Sequence, residues 1–508
     1  MFSIPNSRQT TFIHGPTVYE KLISEDHILY RINKLIDFTF VNNACSDLYS
    51  LDKGRPVKNT PEMMFRSAIV QYLNDYSDRQ MEQSARYDIM TKWFIGLSIE
   101  DNSYDHSALG DFRDRLGEEM WKKLFFAILK QIESEGFAKG TQQVDATHVI
   151  ANIAIPATID FIRQGIKVVM YEIEKINPKL YNELGGKKVA TKNEKVYKLN
   201  INDKKSKLVE VVKEARKLIE IADGMGPYVE EKVNLLKRIL NENVEVKNDN
   251  IQKNKDKVKD RLVSVVDEDA RHGAKSDKKK FTGYKVNSMM SEDGFITNIN
   301  ATPGNGYDGD VLVPLVDEKI ENSSKPMKIV GDSHYGSGDN RYEMTVMRGI
   351  TLVAPFREDF NPTGLFTQKE FIIEDTCVTC PAGSRTMDFN YNVKSGKKTF
   401  FFEKKVCKNC ALRKRCTKQD RRTITIGEHY ELVKEAKKYN KTKEYKEDMK
   451  GRSKIEPKQG EMKRFQGMAR AKFWGLSKLN IQATITAITV NVKRFANVVG
   501  SSCSLKMC

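Results

Sequence analysis

Hydrophobic positions along this chain change period twice, and the changes mark out its elements. From about residue 15 to residue 135 the apolar spacing is helical. Thr60-Pro61 opens one helix, an N-cap side chain followed by a first-turn proline. Met64, Phe65, Ala68, Ile69, Tyr72 and Leu73 then form one apolar stripe. Ser77 with Gln80 reads as a capping box before the next helix. A further helix begins near Ser107 and carries Leu109, Phe112 and Leu116, with Arg113 and Arg115 beside them. Such short helices fit a helix-turn-helix reader or a plain bundle equally well.

At Gln142 to Ile150 the pattern turns short and β-branched, which predicts a strand. A long charged helical region follows, about Pro156 to Arg261. Leu208, Val211, Val212, Ala215, Leu218, Ile219 and Ala222 make one stripe; Val229, Val233, Leu236, Ile239 and Leu240 make another. Gly224-Met-Gly-Pro227 turns between them, so a helical hairpin is expected. Val246 to Asp260 is polar and Lys/Asn-rich and reads as linker. Strands return at Tyr284 to Met290 and Phe295 to Ala301, joined by the turn Ser291-Glu-Asp-Gly294. Then come a helix over Asp308 to Asn322, a buried strand over Met327 to Gly331, a helix over Asn340 to Arg348 and a strand over Thr351 to Ala354. A helical segment holds Glu456, and another runs from Ser477 to Ala496. Strand, insertion, two strands, helix, strand, helix, strand, helix is the element order of a ribonuclease-H-like core, an α/β fold with a mixed sheet.

With 508 residues the chain exceeds one ordinary core, and about two to four domains are expected. The formal net charge of +17 suggests a polyanionic partner. Lys404 to Lys478 holds 24 Lys/Arg and 9 Asp/Glu, so 24 − 9 = +15, nearly the whole excess. An evenly solvated Lys-rich surface would not concentrate charge this way. The most apolar stretch, Ile481 to Val499, is broken by Lys493 and Arg494, too soon for a membrane span. Met1-Phe-Ser-Ile-Pro5 lacks the basic-then-apolar order of a secretory signal. A reducing cytosolic setting is therefore expected, with cysteines as thiols or metal ligands.

Three acids carry the candidate chemistry. Asp145 lies mid-strand after Val144, Asp332 closes an apolar strand where a loop begins, and Glu456 sits in a charged segment. Singly, Asp145 is a buried group in need of a partner, Asp332 an Asx turn or helix cap, and Glu456 one charge among many. If the three meet, they can hold two divalent cations, and such a pair can cut a phosphodiester. Arg452 stands four residues before Glu456 and Lys463 seven after, about one and two turns of helix. Pro457 predicts a helix that starts near Ile455 or kinks there, and a start at Ile455 leaves Arg452 just ahead of it.

The spacing Arg, three residues, Glu, six residues, Lys resembles the signature of bacterial insertion-sequence transposases of the DDE class. The tyrosine of that signature is replaced by Met449. Val144-Asp-Ala-Thr147, Phe281-Thr-Gly-Tyr-Lys285, Ile329-Val-Gly-Asp-Ser-His-Tyr335, Gly475 to Ile488 and Asp26 to Arg31 are similar to further blocks of such proteins. The resemblance covers most of the chain and is weakest in the helical insertion and the tail. It implies a helical DNA-binding domain over 1–137, a ribonuclease-H-like core over 138–156, 262–375 and 425–500, a helical insertion over 157–261, a cysteine-rich insert over 376–424 and a tail over 501–508. It also implies catalytic Asp145, Asp332 and Glu456 holding two Mg²⁺ or Mn²⁺ ions. Expected partners are double-stranded DNA, as terminal inverted repeats and target, and a second copy of the chain in a homodimer. The setting would be the bacterial cytoplasm, at the nucleoid. Metal-dependent cleavage and strand transfer is the activity implied. A non-catalytic DNA-binding repressor and a nuclease that cannot join are the other readings.

Cys377-Val-Thr-Cys380 and Cys407-Lys-Asn-Cys410 are two knuckles, and Cys416 follows. Four of these five thiolates at this spacing suit a structural Zn²⁺ in a small ribbon-like lobe; reduced thiols in a loop are the alternative. Cys45, Cys503 and Cys508 show no ligand spacing. Arg413, Lys414, Arg415, Arg421 and Arg422 suggest that the lobe touches phosphate. His148 and His334 stand beside the candidate acids, as metal or DNA contacts or as hydrogen-bonded bystanders. Asp267 and Asp269 precede the basic Arg271 to Lys280 run and read as loop. Phe473 and Trp474 read as core anchors, with base stacking the alternative.

Overall fold

The computed structural model describes residues 18–49, 57–191, 200–247, 250–256, 258–276, 278–356, 361, 363–374 and 376–504. The start read for a signal, Cys508 and the last four tail residues lie outside the described residues, while residues 501–504 continue the final helix.

A mixed sheet is built on β1 (Thr141–Ile150). A hairpin of β2 (Val244–Lys247) and β3 (Asn250–Lys253) stands apart from it. The sheet continues with β4 (Arg271–Ala274), β5 (Lys280–Ser291), β6 (Ile296–Pro303), β7 (Lys328–Val330) and β8 (Thr351–Val353). β1 pairs antiparallel with β5 from Gln142↔Ser291 to Ile150↔Gly283, and parallel with β7. β8 extends β7 in parallel. On its other edge β5 pairs with β4 through Lys280–Gly283 and with β6 through Tyr284–Met290. The order β6-β5-β1-β7-β8 realises the predicted element order. β4 was hidden in a stretch read only as a basic run, because four residues ending in a lysine-rich turn carry no alternation.

Both faces of the sheet are covered. Val144 and Val149 lie five residues apart and so on opposite faces of β1. Val144 packs with Met289, Leu312, Ile329 and Tyr335, while Val149 joins the main core with Tyr284, Phe295 and the helices. The final helix, Leu476–Ser504, runs through that core and is buried on nearly every side. Its polar residues have work there. Asn480 Oδ1 accepts from the Ala301 amide at 2.6 Å; Asn491 accepts from the Ile296 amide and donates to its carbonyl. The outer edge of β6 is thus capped by helix side chains rather than left open to another chain.

The N-terminal helices share this core instead of forming a separate one. Thr60 caps Pro61–Leu73 by accepting from the Met63 amide, and Ser77 with Gln80 forms the expected capping box. The Pro61–Leu73 helix is buried beyond its stripe, Arg66 and Gln71 included, so it is a central strut. The helix Ser107–Ser134 bends at Gly117 (φ 62°). Arg113 is not free for DNA: it pairs with Asp78 at 2.6 Å and lies over the Phe473 ring. Arg115 covers Tyr49.

The insertion consists of Thr158–Ile176, Ile201–Ala222 and Pro227–Asn243 with shorter helices, around its own apolar cluster. Both predicted stripes face inward, and the turn between them uses Gly224 (φ 74°) and Gly226 (φ 104°). Part of the expected linker is instead the β2–β3 hairpin: Val246 and Ile251 pair across it, a short-range match that Lys and Asn obscure in the sequence.

Buried charges tie the layers together. Lys319 has no exposed surface, and its ammonium lies 3.3 Å from Glu133 of the Ser107–Ser134 helix. Glu133→Ala strands that ammonium without a carboxylate, and a loss of about 3 kcal/mol is expected from the cost of an unpaired buried charge. A denaturant midpoint equal to the parent's would show that the pair does not matter.

Candidate active site

Asp145 sits on β1 opposite Ser288 of β5, whose hydroxyl donates to the Asp145 carbonyl. Asp332 follows β7 after one residue, Gly331. A Cβ at Gly331 would meet Val144 at 2.9 Å and Tyr335 at 3.0 Å, so any larger residue would have to push these buried side chains aside to let the turn lie against β1. Asp332 does make the Asx turn: Oδ1 accepts from the His334 amide at 2.7 Å, and Oδ2 lies 3.0 Å from His334 Nδ1. Glu456 is in the first turn of the helix Ile455–Phe465, held by buried Ile455 and Met462. Pro457 therefore falls in a first turn, where its missing N–H costs nothing. Arg452 ends the preceding helix, Lys443–Arg452, just ahead of it.

These elements bring all three acids to the wall of one cleft of about 530 Å³, together with Arg452, Lys463 and His148. Burial pushes the Asp145 carboxyl up to about 6; Arg452 and the Ala146 amide pull it down, while Asp332 and Glu456 push it further up. Each of the other two acids is thus felt at Asp145. The three do not close into a tight cluster. Among the described residues, three ligating groups lie within 4.8 Å of one another only at Glu82, Asp105 and His106, in the N-terminal region. There His106 Nδ1 sits 3.2 Å from Glu82 and 3.4 Å from Asp105, so one imidazole answers both.

The cleft has a basic pole as well. Burial, with Lys275 beside it, pushes the Lys463 ammonium down to about 8. Burial, then Lys463 and Lys275, hold the His148 imidazole below its usual range. Lys275, Lys285 and Asp308 were not singled out in the sequence; they lie in a loop, a strand block and a helix start that gave no chemical signal. Lys285 pairs with Asp308 at 2.8 Å and donates to the Gly306 carbonyl.

Elsewhere the expected site residues divide. Cys380, Cys407, Cys410 and Cys416 line one cavity of about 280 Å³. Cys377 is apart, its thiol donating to Glu374 Oε2 at 2.8 Å and accepting from Arg385. Arg422 donates to the carbonyls of Cys416 and Phe366, so it braces the lobe rather than offering itself to phosphate. Arg415 lies over Phe366 and Arg421 over Phe401, whereas Lys414 is exposed and Arg413 half-buried. Asp267 is buried and accepts from Tyr284 Oη and the Gly475 amide; Asp269 accepts from the Leu476 amide. Both acids therefore hold the start of the final helix. Trp474 is no core anchor: it is 53% exposed, its indole N–H bonded to the Asn152 carbonyl.

Residues 17–115 match a family described as a transposase domain (DUF772), and residues 379–496 match a transposase DDE domain. Both matches are to transposase families, one at each end of the chain, and together they support an insertion-sequence transposase of the DDE class. A DDE domain implies a ribonuclease-H-like core, and the mixed sheet agrees with it. No curated protein and no solved structure matches the chain. No helix among the described residues is long and apolar enough to cross a membrane.

In metal-free protein the Asp145 carboxyl should titrate near pH 6 by side-chain NMR. Replacing Asp332 and Glu456 by Asn and Gln should lower that midpoint, and Arg452→Ala should raise it. An Asp145 midpoint indifferent to all three changes would mean that the acids do not share a field.

Proposed function

We propose that this transposase cuts DNA at the ends of its element and joins the freed ends to target DNA, using Asp145, Asp332 and Glu456. The observation that carries the reading is the arrival of these acids, from three distant segments, at one cleft. The donors fit hard divalent cations, which take oxygen ligands, and a cation relieves the repulsion that Asp332 and Glu456 exert on Asp145. When bound, two Mg²⁺ or Mn²⁺ ions would activate water, and later the DNA 3′-hydroxyl, and stabilise the leaving oxygen. Asp145 is held by its pairing with β5, two residues beyond the stretch of β1 that also pairs with β7, Asp332 by its Asx turn and Glu456 by a buried helix start. Arg452 and Lys463 flank the acids and would hold the DNA by its phosphates. The N-terminal helices would read the terminal inverted repeats, and the basic stretch from Lys404 to Lys478 would add backbone affinity. Two chains would act together on paired ends.

The cysteine lobe is read as a structural zinc site. Its ligands would be Cys380, Cys407, Cys410 and Cys416, which share one cavity but whose sulfurs must draw together to hold an ion, since no three of them lie within 4.8 Å of one another; Cys377 is taken up by Glu374 and Arg385. Cys410→Ser should lose the zinc, while Cys377→Ser keeps about one equivalent per chain by elemental analysis. Equal loss in both variants would put Cys377 back among the ligands.

Asp145→Ala and Glu456→Gln should each abolish Mg²⁺-dependent strand cleavage, a loss of at least about a thousandfold, while end binding in gel shift persists. Full cleavage by both variants would refute the catalytic assignment.

A further inference from the structure

We propose that Lys275, at the base of the turn between β4 and β5, joins Lys463 to form a clamp for one phosphate of the DNA strand that enters the acidic cleft. The proposal rests on the reading of that cleft as a DNA site and adds a residue outside the Arg, Glu, Lys spacing.

Lys275 lines the same cleft as the acids, and it comes from a segment between Asp145 and Asp332 in the chain. It follows β4 directly, and β4 is laid tightly on β5: a Cβ at Gly273 would meet the Gly304 carbonyl at 2.3 Å and the Phe281 ring at 2.4 Å. The Lys275 amide donates to the Lys279 carbonyl at 2.8 Å, which fixes the base of the turn. Phe281 in turn packs against the His148 ring, with centroids 5.2 Å apart. The lysine is thus mounted on a braced hairpin.

The cleft it lines holds another cation, Lys463. Neither Lys463 nor Lys275 has a carboxylate partner among the described residues, whereas Lys285, Lys458 and Lys493 nearby are each paired with an acid. Lys463 is half-buried, and its charged neighbour is Lys275. The third group between them, His148, is held toward its neutral form by burial and by the same two lysines. Two ammonium groups that converge without an anion cost energy in the free protein. An entering anion removes that cost. The acids of the same cleft exclude a free anion at their own end, so the occupant that satisfies both poles is a strand with its reacting phosphate at the acids and a neighbouring phosphate at the lysines.

The test uses the full-length chain and a duplex carrying the element's own terminus, bound without metal over a range of salt. Lys275→Gln should weaken binding severalfold and reduce the slope of log affinity against log salt by about one, the signature of one lost phosphate contact. Lys275→Arg should restore both. Replacing phosphates one at a time by neutral methylphosphonate should reveal one position that costs the parent clearly more affinity than it costs Lys275→Gln, in which Lys463 alone still holds that phosphate. An unchanged salt slope in Lys275→Gln, or an equal methylphosphonate effect in both proteins at every position, would overturn the clamp. Because binding is read without cleavage, a parent that binds but never cuts with Mg²⁺ or Mn²⁺ sinks the catalytic reading separately.

Discussion

The site depends on the register of β1. That strand is bonded on both sides, antiparallel to β5 and parallel to β7, and its two faces feed different apolar clusters through Val144 and Val149. A slip of one residue would exchange the faces and bury Asp145 where Val144 now sits. Packing on both faces forbids the slip, so the acid is held where burial and repulsion both disfavour its charge. The same pairing brings the end of β7, and hence Asp332, alongside.

Charge in the cleft is organised by who has a partner. Lys285 and Asp308 neutralise one another on the wall, which leaves the three acids at one pole and Lys463 with Lys275 at the other. A surface rich in lysine offers affinity for DNA anywhere. What distinguishes this cleft is that Lys463, half-buried, and Lys275 have no carboxylate partner among the described residues, so their attraction is strongest for a ligand that enters with its own negative charge.

The other half of the scaffold is apolar. The Leu476–Ser504 helix packs on β6 and on the N-terminal helices at once, and Asp267 and Asp269 secure its first turn from the loop before β4. Acids that looked like a loop feature beside a basic run are in fact the joint between the sheet and this helix. In the cysteine lobe, a small cluster around Phe400, Phe402, Ile424 and Ile426 sits beside four thiols, and Arg422 is used up in bracing the chain there.

The sequence by itself determined what depends on near neighbours: the capping box at Ser77 and Gln80, the proline-tolerant helix start before Glu456, the strand through Asp145, the hairpin at Ser291 to Gly294 and the order of elements along the core. Periodicity and capping act over a few residues, so they are legible in a few residues. The spacing around Glu456 named the three acids by resemblance, but their meeting is a property of the sheet pairing. Only the tertiary structure decided that Arg113 serves Asp78, that Arg422 serves two carbonyls, that Cys377 stands apart from four other cysteines and that Lys275 shares a cleft with Lys463. Each is a choice between partners distant in sequence, and a charge or thiol has the same letter whether its partner is a carbonyl, an acid, a metal or nothing at all.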